Sequence, residues 1–171
     1  MSSPFTFDVA QLLHETMPEQ RTQVGPTPER IGLEMIAVPQ GGEVTVDATL
    51  TPLGEGILVD AHVTGTLEGQ CARCLRDLHP QLDISVSQVF SASDDFIGGD
   101  PAESDEDEIP QVVGNSIDLL QTVIDEAGIS LPFAPSCGQT CDVDTPEGVT
   151  TGISGEEERL DPRWSGLEKF L

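Results

Sequence analysis

The chain has 171 residues, 37% of them hydrophobic but only 4% aromatic and none of them Tyr, which fits one domain with an aliphatic core plus tails. Seven Lys and Arg stand against 31 Asp and Glu, a formal net charge of −24. Such a charge keeps a protein soluble and repels polyanions, so it argues against DNA as a partner and against broad RNA binding, which needs many cations to displace phosphate counterions. The N-terminus lacks a basic stretch followed by an apolar one, and no run of about 18 apolar residues occurs, so neither a signal peptide nor a transmembrane helix is expected. A cytoplasmic location follows by default.

In chain order, residues 8–17 read as a short helix capped by Asp8, with Val9, Leu12, Leu13 and Met17 on one face and Pro18 closing it. Residues 18–29 hold three prolines and a glycine and read as a linker. Residues 31–38 read as a strand. Val44, Val46, Ala48 and Leu50 alternate with polar residues, and so do Ile57, Val59, Ala61 and Val63. With Gly54-Glu55-Gly56 between them, the two runs predict an antiparallel hairpin. A further strand runs through Leu82, Ile84 and Val86 to Phe90.

Residues 91–110 form an acidic loop, in which Asp94, Asp95, Asp100, Glu103 and Asp105–Glu108 meet no basic residue. The next helix, residues 115–127, places Ile117, Leu120, Val123, Ile124 and Ala127 on one face, starts at Asn115 or Ser116 and ends at Gly128 as C′. Residues 129–133 read as extended, residues 142–160 as a second linker, and residues 162–171 as a short helix begun by Asp161 and Pro162. The expected class is α+β: an antiparallel β-sheet with a few short helices and long acidic loops. The expected divisions are 1–30, 31–141 and 142–171.

All four cysteines fall in two close pairs, Cys71-Ala72-Arg73-Cys74 and Cys137-Gly138-Gln139-Thr140-Cys141. Two short-spaced pairs brought together by folding can give four thiolates to one tetrahedral Zn²⁺, and in a reducing compartment metal binding or redox chemistry is commoner than a structural disulfide. The first pair lies in the bend between two strands, the geometry of a zinc knuckle, while the long separation of the pairs makes the expected site a clip across the domain. A redox pair and simple free thiols stay open beside it. Arg73 and Arg76 stand where they would offset the negative charge of a metal–tetrathiolate centre, or serve as a local patch for a partner. His79 is five residues beyond Cys74 and reads as an exposed turn residue, and His62 falls on the polar face of its strand.

The acidic run suits a basic partner or is simply solvated. Trp164, the one Trp, with Leu167, Phe170 and Leu171 reads as an anchor on a partner or on the chain's own domain. No phosphate-binding glycine loop, dinucleotide fingerprint, zinc-protease motif or nucleophile elbow is present, so no enzyme is indicated.

Gly69-Gln70-Cys71-Ala72-Arg73-Cys74-Leu75 resembles the C-x-R-C-L signature of the YceD family, the large ribosomal RNA subunit accumulation proteins. Residues 7–13 resemble its N-terminal segment, Ile117-Asp118-Leu119-Leu120 and Leu131-Pro132-Phe133-Ala134-Pro135-Ser136-Cys137 its helix and L-P-x-x-P-x-C stretch, and Asp161-Pro162-Arg163-Trp164 its D-P-R ending. Many bacterial members continue after the second pair as G-L-C-P-x-C-G. Here Thr145-Pro146-Glu147-Gly148 keeps the proline without the cysteines, so a site in this chain must rest on Cys71, Cys74, Cys137 and Cys141. The resemblance implies a role in accumulation or processing of 23S ribosomal RNA, in a family whose gene often neighbours one for a large-subunit ribosomal protein. The implied partner is a ribosomal protein or a pre-ribosomal particle, and a chaperone-like contact with a basic protein agrees better with the charge than broad RNA binding. Direct RNA contact stays open.

Overall fold

The hairpin expected from the alternating runs is the centre of the molecule. Strands Glu43–Pro52 and Gly56–Thr66 pair antiparallel, with Val46 opposite Val63, Ala48 opposite Ala61 and Leu50 opposite Val59. In this computed structural model residues 3–92, 109–138 and 141 are described. The chain divides into two compact units, Met1–Cys141 and Asp142–Leu171, and the described residues all belong to the first. The acidic run 94–108, Thr145 to Gly148, Trp164 and the expected C-terminal helix lie outside the described residues.

The strands are, in order, β1 Thr6–Asp8, β2 Glu19–Pro26, β3 Ile31–Leu33, β4 Ile36–Val38, β5 Glu43–Pro52, β6 Gly56–Thr66, β7 Glu68–Gln70, β8 Asp77–Leu78, β9 Gln81–Ser91 and β10 Ser116–Asp118, followed by helix α1 Leu120–Ser130. They form three antiparallel sheets, ordered β2-β5-β6-β9, β3-β4-β7-β8 and β1-β10. This is a mostly antiparallel α+β fold with one α-helix among the described residues.

The apolar face of the long sheet joins Phe5, Phe7 and Leu12, then Ile31, Ile36 and Val38, then Ile117, Leu119, Val123 and Ala127 in one core. Burying a large aliphatic or aromatic side chain contributes about 1.5–3 kcal/mol, which explains why the period-two strands set the architecture. Helix α1 lies against β3 and β9.

The structure corrects several sequence expectations. Residues 8–17 are not a helix: β1 pairs with β10, Phe7 opposite Ile117, and only Leu12–His14 makes a 3-10 turn. Asp8 instead accepts a hydrogen bond from the Ala10 N–H, and Met17 is exposed rather than on a buried face. Short apolar runs are ambiguous between the two states, and a partner strand far along the chain decided this one.

The stretch read as a linker at 18–29 holds the edge strand β2, paired with β5 from Glu19 opposite Leu50 to Pro26 opposite Glu43. Its side chains are mostly polar, and its one proline, Pro26, sits at its end, where an edge strand tolerates it.

Residues 31–38 are a hairpin, β3 with β4, because Gly32 takes φ +129 with Ile36 and Ala37 backbone against it. Residues 116–118 are β10, so α1 begins later, with Asp118 accepting from the Leu120 N–H. Gly128 is inside the helix, and Ile129 and Ser130 continue it, so residues 129–133 are not a strand.

Candidate metal centre

Between β6 and β9 the chain leaves the long sheet and returns. The Leu67 N–H donates to Pro80 O at 2.9 Å, and above this closure β7 and β8 pair, Gly69 opposite Leu78 and Gln70 opposite Asp77. Gly69 is needed where β7 meets β4: a Cβ there would stand 2.4 Å from Met35 O and 3.0 Å from the Ile36 Cα. The Cys71 N–H donates to Arg76 O at 2.8 Å and the Leu75 N–H to Cys71 O at 2.9 Å, which folds residues 71–76 into a tight turn. Leu75 closes it in the left-handed region, φ 58, a conformation that costs a residue with a Cβ roughly 1–2 kcal/mol.

The second cysteine pair is delivered by the segment after α1. The Ala72 N–H donates to Pro135 O at 2.7 Å, fastening that segment to the turn, and the Cys141 N–H reaches Gly138 O at 3.2 Å, with Gly138 at φ +66. The four sulfurs therefore meet. Cys71 Sγ is 3.7 Å from both Cys141 Sγ and Cys137 Sγ, Cys74 Sγ is 3.5 Å from Cys137 Sγ, and all four lie within 4.8 Å of one another.

A tetrahedron of sulfurs about 2.3 Å from a zinc ion has edges of about 3.8 Å, whereas a disulfide needs about 2.05 Å. The arrangement matches the first figure, and no disulfide joins any of the four cysteines. The sequence expectation that the two pairs converge is met.

The electrostatics agree. Cys71 is fully buried, yet the backbone N–H groups of Cys74 and Cys137 aimed at its sulfur hold its pKa down to about 5. Burial, followed by the neighbouring Cys137 sulfur, pushes Cys141 up to about 12, and burial with the Cys74 thiol beside it raises Cys137. One sulfur is prepared as a thiolate while two others resist ionisation. A divalent cation at the centre is what would let those two ionise beside Cys71.

Arg73 and Arg76 are both exposed on the knuckle turn, and His79, also exposed, is outside the sulfur cluster. His62 lies on the polar face of β6, 3.3 Å from Ser85 Oγ and 3.7 Å from Asp83. Sequence reasoning missed a cavity of about 330 Å³ beside the centre, walled by β8 and its following turn and by residues 131–136. The run Leu131-Pro132 with Pro135 was its one visible signal.

Fold and site together define an antiparallel α+β domain whose knuckle is held by a four-cysteine cluster to the segment after its helix. The family model described as "Large ribosomal RNA subunit accumulation protein YceD" matches residues 59–171, and the chain belongs to that family. It is 33% identical to an uncharacterized protein of Mycobacterium tuberculosis over all of this chain and 83% of the relative. It is 31% identical to one of Mycobacterium leprae over 99% of this chain and 78% of the relative. No solved structure matches. Among the described residues no helix is long and apolar enough to cross a membrane.

Proposed function

We propose that the protein is a non-enzymatic, cytoplasmic ribosome-biogenesis factor that supports accumulation or processing of large-subunit (23S) ribosomal RNA. The observation that carries this reading is the family match over residues 59–171. It acts through a protein partner, a basic ribosomal protein or a pre-ribosomal particle. A net charge of −24 attracts a basic protein and opposes a polyanion. A structural Zn²⁺ held by Cys71, Cys74, Cys137 and Cys141 fits the sulfur spacing and the soft ligand set. Its part is to clip the knuckle to the segment after α1, and it carries no reaction.

Deleting the gene and comparing large- with small-subunit ribosomal RNA tests the role. The large-subunit RNA falls if the reading is right, and an unchanged ratio refutes it. A pull-down with and without RNase tests the route. A large-subunit ribosomal protein retained after RNase supports protein contact, and loss of all ribosomal material refutes it.

A second reading rests on the exposure of Arg73 and Arg76 on the knuckle. Direct RNA contact there would show steeply salt-dependent affinity that is lost when both become Ala.

A further inference from the structure

The cavity beside the sulfur cluster has walls of two origins. Ile36, Leu67 and Leu78 come from the small sheet and the base of the knuckle arm, while Leu131, Pro132 and Pro135 come from the segment after α1. The polar lining is His79, Gln81 and Ser136. Two fastenings hold the second wall to the first: the Ala72–Pro135 hydrogen bond and the meeting of Cys137 with the knuckle sulfurs. At about 330 Å³ the cavity is at the lower end of ligand sites, yet roomy for one ring, since an apolar cavity of about 150 Å³ already takes benzene.

Large apolar side chains stand in solvent on the same two segments: Leu75 on the knuckle is 66% exposed, and Phe133, which follows the lining residue Pro132, 79%. Exposed apolar groups on the segments that wall an apolar cavity suit a protein-binding patch, with an anchor residue at its centre.

We propose that this cavity receives one large apolar side chain, aromatic or aliphatic, from a basic protein partner, and that the metal clip holds the cavity open for it. The choice of a basic protein rests on the reading given above and on the charge of −24, which repels nucleic acid. The clip and the anchor share a wall, so their binding is linked in both directions: metal favours the anchor, and the anchor slows loss of the metal.

The test uses the full zinc-loaded chain and two synthetic lysine-rich peptides, identical except for one central Phe or Ala. Methyl NMR is expected to show saturable shifts at Leu67, Leu78 and Leu131 with the Phe peptide, at least tenfold weaker affinity for the Ala peptide, and slower chelator-driven zinc release when the Phe peptide is bound. Gln81→Trp, which fills the cavity from an exposed position, should erase the difference between the peptides at unchanged zinc content. Equal affinity of the two peptides, shifts that bypass the three leucines, or zinc release indifferent to the Phe peptide would overturn the inference. The role in ribosomal RNA accumulation would then stand or fall by the gene deletion alone.

Discussion

Removing the clip should loosen the domain by an amount that follows from chain length. Cys74 and Cys137 are 63 residues apart and their sulfurs meet at 3.5 Å. Joining such distant points removes loop-closure entropy from the unfolded chain, about 4 kcal/mol for a loop of this size on the chain-entropy scale. The Ala72–Pro135 hydrogen bond fastens the same two segments and is worth about 1 kcal/mol on its own. Cys137→Ser, or a strong chelator on the wild-type chain, is therefore expected to cost about 3–4 kcal/mol. For a domain of this size that lowers the melting temperature by roughly 10–15 °C. Thermal unfolding followed by far-ultraviolet circular dichroism, with zinc content measured on the same samples, gives the answer. Chelator and substitution should give the same shift and should not add. Melting curves that superimpose with and without chelator, on protein purified without zinc, would refute the clip.

Zinc should leave as the solution is acidified. Cys137 and Cys141 have raised pKa values and hold their protons in the metal-free domain, so zinc must displace those protons, and more acid means more competition. An indicator dye should register release between about pH 7 and about pH 5, and retention unchanged across that range contradicts the site. Gly69→Ala forces a Cβ to 2.4 Å from Met35 O and should destabilise by about 2 kcal/mol or more, read as an earlier denaturant midpoint. Leu75→Gly relieves the left-handed strain at φ 58 on an exposed residue and should raise stability by a few tenths of a kcal/mol to about 1, with a loss of stability counting against the strain.

The strands β5, β6 and β9 were legible because each is amphipathic with period two, and one face of the sheet they form is dry. The strand β2 was not, since its stabilising partner is the β5 backbone and its own side chains give no apolar signal. At residues 6–8 and 116–118 each short strand exists only because of the other, a pairing across about 110 residues that no local pattern reveals. Ile117 was correctly placed in the core but on the wrong kind of element. In the site, the convergence of the four cysteines could be read from their spacing. The route by which it closes could not, because it depends on an Ala72 amide meeting a Pro135 carbonyl and on Leu75 accepting a backbone conformation ordinarily left to glycine.

The knuckle arm leaves the long sheet at Leu67 and rejoins it at Pro80, two residues linked by a hydrogen bond, while β6 and β9 keep an unbroken register of eleven pairs, from Gly56 opposite Ser91 to Thr66 opposite Gln81. Excursion and scaffold are thus separable. The turn at residues 71–76, beyond the β7–β8 pair, could be lengthened, shortened or exchanged without moving any aliphatic side chain of the main sheet to its opposite face. Inheritance can therefore vary the chemistry at the tip of this arm while the long sheet beneath it keeps its register.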